Sequence, residues 1–400
     1  MGRLRQKIES IMQADGVDGQ VPLTILLQTA AVLYGGAVKL RNSCYDAGIF
    51  STRRLPCRVI SIGNITAGGT GKTPMTIHLA QQLRQMGYRP AVLSRGFGGA
   101  AESGGAVVSN GYEILCGPEI AGDEPVLIAS KLKGIPVLVG SDRYRGGMRA
   151  VTEFDPDILV LDDAFQHRRL YRDVDLVLLD AGGLFGNGNL IPRGVLREPI
   201  SGLHRGDGFV LTRSRTGKAG MAELMSNYSE KPVFRSDHEP YIAGIFDGAQ
   251  PLGVHIPADH PVTGWSEIAG KRLFVFSGIA RNREFSGMME RRVGTLAGCK
   301  GFPDHHPYTD GELEQLIKLA EKQGADLLAT TEKDYVRIAG RIPGSLPIVV
   351  IGVTIRFSGN DESDFLQFIR RKLALARTGH DGERRKTEAL YKKRNVPRRS

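Results

Sequence analysis

The segment Ser61-Ile62-Gly63-Asn64-Ile65-Thr66-Ala67-Gly68-Gly69-Thr70-Gly71-Lys72-Thr73-Pro74 confines the fold more than any other part of the chain. A glycine-rich loop of this kind turns backbone N–H groups toward a phosphate and adds a lysine that bridges toward the terminal phosphate. It also leaves a hydroxyl, here Thr73, to hold Mg²⁺. Such a loop belongs between a strand and a helix N-terminus. Arg58–Ile62 is a β-branched run suited to a buried strand, and Thr76–Leu83 spaces its apolar residues as a helix does. The residues expected around a nucleotide are therefore Thr66, Ala67, Gly68, Gly69, Thr70, Gly71, Lys72 and Thr73. Thr66 stands where the strict G-x-x-x-x-G-K-[ST] pattern has its first glycine.

Beyond the loop, Pro90–Ser94, Ile135–Val139, Ile158–Leu161 and Leu176–Leu179 are short apolar runs separated by helix-length segments, the pattern of a parallel sheet covered on both faces. Phe209–Thr212 extends it. Arg272–Phe276, Asp326–Thr330 and Pro347–Ile351 resume the strand signal, with a helical stretch at Gly311–Gln323. The fold class expected is α/β: a P-loop NTPase-type parallel sheet core, a second smaller α/β lobe and an N-terminal membrane-associated helix. The expected organisation is a helical membrane-associated segment at 1–55, a P-loop core at 56–215 and a connecting region at 216–270. A C-terminal α/β lobe at 271–375 and a basic, disordered tail at 376–400 complete it.

The net charge of +10 does not indicate nucleic acid, because the tail alone holds nine Lys or Arg against three Asp or Glu. Low in apolar residues, it reads as a solvated basic extension that anionic lipid headgroups would attract. Cys44, Cys57, Cys116 and Cys299 are far apart with no C-x-x-C pair, which suggests neither a zinc site nor a disulfide framework and suits a reducing, cytosol-facing location. Residues 21–38 are apolar but interrupted by Pro22, Gln28 and the Gly35-Gly36 pair. Against the roughly 20 apolar residues that cross a bilayer, the run is marginal. No small-residue cleavage site follows, and Arg53-Arg54 come next. The expectation is a membrane-inserting or interfacial helix flanked by cations, with a buried packing helix as the alternative.

Asp162-Asp163 closes the Ile158–Leu161 strand, where a phosphate-loop enzyme holds Mg²⁺ directly or through water. The following Ala164-Phe165-Gln166-His167 crowds polar groups at the sheet edge where open α/β sheets bind ligands. Gly122-Asp123-Glu124-Pro125 leaves two readings open. Asp123 caps a helix whose first turn holds Pro125, or else Asp123 or Glu124 receives a proton from an attacking hydroxyl or binds the metal. In Asp304-His305-His306-Pro307-Tyr308 the neighbouring imidazoles point apart, so at most one serves a given site. Arg95, Arg193 and Arg197 are candidate phosphate contacts, since guanidinium meets an oxyanion with two prongs.

Taken together, Gly63–Pro74, Ser94-Arg95-Gly96, Gly122–Pro125, Asp162-Asp163 with Gln166-His167, Phe185–Gly188, Leu196-Arg197-Glu198, Asp304–His306 and Thr330–Asp334 resemble the tetraacyldisaccharide 4'-kinase family of lipid A biosynthesis. The matching segments run in order over residues 60–335, and Thr66 is part of that family's loop. Ala164 replaces a glycine expected after the paired aspartates, and Phe97 an expected tyrosine. The resemblance implies ATP and Mg²⁺, with transfer of the γ-phosphate to the 4'-hydroxyl of a membrane-embedded acylated glucosamine disaccharide 1-phosphate, giving lipid IVA. It further implies Asp123 as proton acceptor assisted by His305, Lys72 as a catalytic cation and Thr73, Asp162, Asp163 and Glu124 at the metal. Substrate or phosphate contacts fall to Arg95, Asn64, Gln166 and Arg197. The implied location is the cytoplasmic face of the inner membrane, peripheral or monotopic, with no nucleic-acid partner.

Three competing readings fit less of the chain. ATPases that position proteins or metals carry an extra lysine before the paired glycines, where this chain has Ala67. A guanine-nucleotide switch reads its base with Asn-Lys-x-Asp or Thr-Lys-x-Asp, whereas Lys333 and Asp334 are adjacent. A purely structural membrane-associated protein leaves the loop unexplained.

Overall fold

The computed structural model describes residues 12, 21–215, 227–246, 264–342 and 345–376. The basic tail after residue 376 and parts of the 216–270 segment lie outside the described residues. The chain forms two compact units, each discontinuous in sequence. The first takes the described residues up to Lys72, Asp155–Asp237 and those from Arg356 onward; the second takes Thr73–Phe154 and His238–Ile355.

In the first unit, α1 (Val21–Asp46) precedes β1 (Arg58–Gly63), and β5 (Ile158–Asp162), β6 (Val174–Asp180), β7 (Gly208–Thr212) and the start of β8 (Val233–Phe246) follow. β1 lies between β5 and β6, β7 continues beyond β6, and β8 pairs with β7, all parallel. Register is set at pairs such as Ile60↔Val160 and Ile60↔Val174. These strands are near-continuous Val, Ile and Leu because a parallel strand is covered on both faces. Ile65, Phe165, Val177, Leu196, Leu203 and Phe209 pack into one core at the end of β1. Gly63 is required there, since a Cβ on it would stand 2.7 Å from the backbone nitrogen of Phe165. A helix at 361–376 adds Phe365 and Phe368, which pack on Phe234.

α1 sorts its own surface. Thr24, Leu27, Ala31 and Val38, at helical spacing, are buried, while Ile25, Leu26, Val32, Leu33 and Leu40 are 59–71% exposed. The stretch Pro22–Asp46 is long and apolar enough to cross a membrane, with mean hydropathy 1.5 in its most apolar window.

In the second unit, α2 (Lys72–Gln85, its first residue in the first unit) leads to β2 (Pro90–Ser94), β3 (Ala106–Ser109), α3 (Pro118–Ala121), α4 (Asp123–Lys131), β4 (Val137–Val139) and α5 (Arg143–Phe154). β2 and β4 are parallel, but β3 runs antiparallel to β4. Later come β9 (Leu273–Ser277), α6 (Asn282–Val293), β10 (Leu296–Gly301), α7 (Asp310–Lys322), β11 (Leu327–Thr331), α8 (Glu332–Ile338) and β12 (Ile348–Phe357). Their parallel order is β10, β9, β11, β12. Thr309 and Glu312 form a reciprocal capping box at the start of α7. Phe274, Phe276, Tyr308, Leu316 and Val350 fill one face of these strands, and Val275, Met289, Val349 and Ile351 the other.

Candidate active site

In the first unit, β1 opens into the phosphate loop, and the loop is held on both walls. Asn64, fully buried, donates from Nδ2 to Thr70 Oγ1 at 3.0 Å, and Gln166 Nε2 donates to the Asn64 carbonyl at 2.7 Å. Ala67 N donates to the Val195 carbonyl at 2.6 Å and Arg197 N to the Ile65 carbonyl at 2.7 Å. Thr66 and Leu196 form an antiparallel bridge between those bonds. From the end of β7, Thr212 Oγ1 donates to the Thr70 carbonyl at 3.1 Å and an Arg213 guanidinium nitrogen to the Gly69 carbonyl at 3.0 Å. Asp180 orients Arg213 from 2.7 Å. Gly68 and Gly71 take φ of 112° and 88°, which only glycine adopts freely. A Cβ on Gly68 or Gly69 would meet nothing within 4 Å, so the loop keeps open space beside its backbone.

Lys72, at the head of α2, points its Nζ to 3.7 Å from Asp163 Oδ1. One Arg197 nitrogen reaches both Asp163 oxygens at 2.9 Å. Asp163 sits at φ 50°, a conformation that Asp tolerates better than most residues, and so turns its carboxylate out of the strand direction while Asp162 stays buried. Gln166 also donates to Glu198 at 2.7 Å, and Arg205 pairs with the same buried carboxylate at 2.7 Å. Thus Asn64, Gln166 and Glu198 shape the loop's wall, and Arg197 joins that wall to the aspartate pair.

The second unit carries the other expected residues. Asp123 is the first helical residue of α4, and its N-cap is Gly122 with no side-chain cap bond, so Asp123 does not cap the helix. Its carboxylate instead accepts from His305 Nδ1 at 3.2 Å and from Arg337, which makes the closest contact. Lys333 Nζ lies 3.0 Å from Glu124 Oε1, 3.4 Å from Asp304 Oδ1 and 3.1 Å from His305 Nε2. An ammonium only donates, so Nε2 accepts from Lys333, while Nδ1 faces both Asp123 and an Arg337 guanidinium nitrogen, the latter at 3.1 Å. Burial alone would raise the Asp123 carboxyl, but the His305 hydrogen bond and the charges of Lys333 and Arg337 outweigh it and hold the carboxyl down at about 2. Burial would lower Lys333, yet Glu124, Asp123 and Asp304 overcome it and keep the ammonium charged.

The loop that presents His305 is pinned from below. Buried Asp334 accepts from Gly278 N at 2.9 Å, from the Tyr308 hydroxyl at 3.0 Å and from Thr331 Oγ1 at 2.7 Å. His305 itself holds φ at 59°, sparsely populated for a side chain of its size. Its neighbour turns away: His306 bonds Glu312 at 3.1 Å and stacks on Phe302. Phe97 meets the His305 ring edge-on at 5.6 Å and is 60% exposed. At the far end of α4, Lys131 pairs with Glu332 of α8, whose carboxylate also accepts from the Tyr241 hydroxyl at 3.1 Å. That buried pair fixes α4 against α8, the two helices that carry Asp123 and the Lys333/Arg337 cations.

Of the expected residues, Lys72, Asp163, Arg197, Gln166 and Asn64 gather at the loop in the first unit, with Asp162 closing β5. Asp123, Glu124 and His305 gather in the second. Arg95 is engaged by Glu102 at 2.6 Å, and Arg193 is buried. The role of Lys333 and the presence of Arg337 escaped the sequence reading. Their i, i+4 spacing on α8, which stacks two cations on one helix face, was the available signal. Among the described residues, no three His, Cys, Asp or Glu side chains cluster as a metal cage would.

A strand, loop and helix built for phosphate, with a strand-end aspartate beside the loop's lysine, define a phosphate-loop protein of the phosphotransferase class. The chain belongs to the tetraacyldisaccharide-1-P 4'-kinase family, whose model matches residues 23–374. It is 40% identical over 350 residues to a tetraacyldisaccharide 4'-kinase of Syntrophus aciditrophicus, covering 84% of this chain and 90% of that one. The tetraacyldisaccharide 4'-kinase of Desulfatibacillum aliphaticivorans is 38% identical and covered over its full length, with 94% of this chain. Among solved structures, LpxK from Aquifex aeolicus in complex with ATP superimposes with a TM-score of 0.67 at 27% identity, covering 88% of this chain and 99% of that one.

Proposed function

We infer that this chain is an ATP-dependent kinase of lipid A biosynthesis that phosphorylates the 4'-hydroxyl of tetraacyldisaccharide 1-phosphate to give lipid IVA. Family membership over residues 23–374 carries the reading, and the phosphate loop with its Lys72, Asp163 and Arg197 charges supports it chemically. Lys72 and Arg197 now neutralise Asp163; with nucleotide bound, their charge serves phosphate oxygens whose negative charge shifts during transfer.

Asp123 is the acceptor of the hydroxyl proton. A carboxyl held at about 2 is a weak base, which suits a loose transition state, where the hydroxyl becomes acidic only as it bonds to phosphorus. It contributes orientation of the hydroxyl as well as a destination for the proton. His305 and Arg337 each meet one of its oxygens, and Lys333 holds the imidazole from its other nitrogen.

Mg²⁺ suits the donors available, since carboxylate and hydroxyl oxygens without sulfur are those it takes, often only one or two from protein. Asp162 and Asp163 at the end of β5, with the Thr73 hydroxyl that follows Lys72 in the chain, would hold it, and the ion would supply charge neutralisation for the phosphoryl group in transfer. Glu124, the other carboxylate the resemblance implies at the metal, is engaged by Lys333 within the second unit.

A substrate with several acyl chains stays in the bilayer, so the enzyme works at a membrane surface. The exposed apolar face of α1 supports interfacial attachment at the cytoplasmic face of the inner membrane, because its opposite face is packed on protein. ADP formation with and without the acylated disaccharide in mixed micelles tests the reading. Release of ADP only when the disaccharide is present supports the kinase, whereas equal release without it points to a phosphate-loop ATPase.

A further inference from the structure

The helix expected to meet the membrane is also bolted to the phosphate loop. On the buried side of α1, the Tyr34 hydroxyl donates to the Arg197 carbonyl at 2.7 Å, and an Arg41 guanidinium nitrogen donates to the Gln166 carbonyl at 3.2 Å. Between them the helix passes so close to Leu190 that a Cβ on Gly35 would stand 2.6 Å from Leu190 Cδ1. The two hydrogen-bonded anchors on the receiving side belong to residues one bond from the loop, and Leu190 is two bridges away. Arg197 N holds the Ile65 carbonyl at 2.7 Å, Gln166 Nε2 holds the Asn64 carbonyl at 2.7 Å, and Leu190 bridges to Leu196, which itself bridges to Thr66. The Arg197 side chain then reaches Asp163, and Asp163 faces Lys72.

We propose that α1 braces the phosphate loop through Tyr34 and Arg41, so that these two positioning residues set nucleotide affinity from the helix that faces the lipid. This rests on the kinase reading and adds a role to the helix beyond attachment. Lys72 and Arg197 need a fixed position for their charge to count, and Arg197 draws its backbone position from two partners: Ile65 on the loop side and Tyr34 on the helix side. The Tyr34 phenol is suited to a permanent donor. Burial, and after it Glu198, push its ionisation up against the pull of Arg41 and Arg197, so it keeps its proton throughout the working range.

Tyr34→Phe in the full chain removes one donor and no bulk. A fluorescent ATP analogue with Mg²⁺ is titrated into the wild type and the variant in detergent micelles without disaccharide. Loss of one hydrogen bond to the wall should raise the analogue's Kd about 3- to 10-fold. In turnover the KM for ATP should rise alike, while the KM for the disaccharide and co-sedimentation with phosphatidylethanolamine/phosphatidylglycerol vesicles stay unchanged. Gly35→Val, which wedges the helix from Leu190, should shift the analogue's Kd in the same direction. Tyr34→Phe with wild-type Kd, or a rise in both KM values together with a lowered Tm, overturns the brace and leaves the kinase reading standing. Failure of the wild type to bind the analogue overturns both.

Discussion

Asp123→Asn keeps the shape of the side chain and removes its charge, and two consequences follow from the geometry. The first is catalytic. The amide cannot take the hydroxyl proton, so kcat should fall roughly 10²- to 10⁴-fold, the range that positioned proton transfer supplies, with little change in the KM for ATP. The second is thermodynamic. A carboxyl that titrates at 3.8 when free and about 2 when folded adds about 2 kcal/mol to stability at pH 7. Because the folded value is the depressed one, this contribution is complete above about pH 4 and is lost as the pH falls through 2; at pH 3 about 1 kcal/mol is left. Urea unfolding of wild type and variant at pH 7 and pH 3 reads the gap directly. It should narrow by about half, since the variant leaves Arg337 and Lys333 short of one carboxylate at pH 7, a deficit that protonation partly imposes on the wild type at pH 3. A gap of equal size at both pH values would show that the Asp123 charge is not what the cations hold, and a kcat near wild type would remove Asp123 from the chemistry.

Lys72→Ala should abolish most turnover with Tm nearly unchanged, because its Nζ meets a part-exposed carboxylate that Arg197 also holds, and serves phosphate rather than the core; near wild-type kcat would refute that. Lys333→Met strips a cation from Glu124, Asp304 and His305 at once, and kcat should drop on the order of 10²-fold, as when a preorganised donor is lost; unchanged kcat would make the lysine structural. Chelation by EDTA should stop transfer and added Mg²⁺ restore it, and Asp163→Asn should raise the Mg²⁺ concentration needed for half-maximal rate, whereas an unaltered requirement would move the metal off the strand end. Leu26→Asn with Leu33→Asn, on the exposed face of α1, should weaken vesicle co-sedimentation at high salt at least tenfold, given roughly 1.5–3 kcal/mol for each buried leucine, and unchanged sedimentation would take that face off the membrane.

What could be read from the chain divides by physical cause. The strands beside the loop were legible because Val59-Ile60, Leu159-Val160 and Leu176-Val177 are buried on both faces and leave an unbroken apolar run. β3 was not, since Ala106–Ser109 is four residues of modest apolarity after a glycine-rich stretch, and it pairs antiparallel. The loop and the aspartate pair were legible from local pattern alone. Arg337 was not, because a cation on a short helix reads as a solvated face until the fold sets it against Asp123, 214 positions earlier. Separation in sequence also hid the value of Thr331-Glu332-Lys333-Asp334, where the first residue caps α8 and each of the next three has a different partner far along the chain. Asp123 looked as good a cap as a catalyst in sequence; Gly122 at the N-cap and the bonds to His305 and Arg337 decide that it is not the cap.

The central claim is the site of phosphorylation. The wild-type chain is incubated with Mg-ATP and tetraacyldisaccharide 1-phosphate in mixed micelles, and the product is resolved by ³¹P–¹H correlation NMR. The account predicts a second phosphomonoester coupled to the proton at the 4' carbon, absent when Lys72→Ala replaces the wild type. Phosphate at any other position, or ATP consumed with the disaccharide left unmodified, would contradict it.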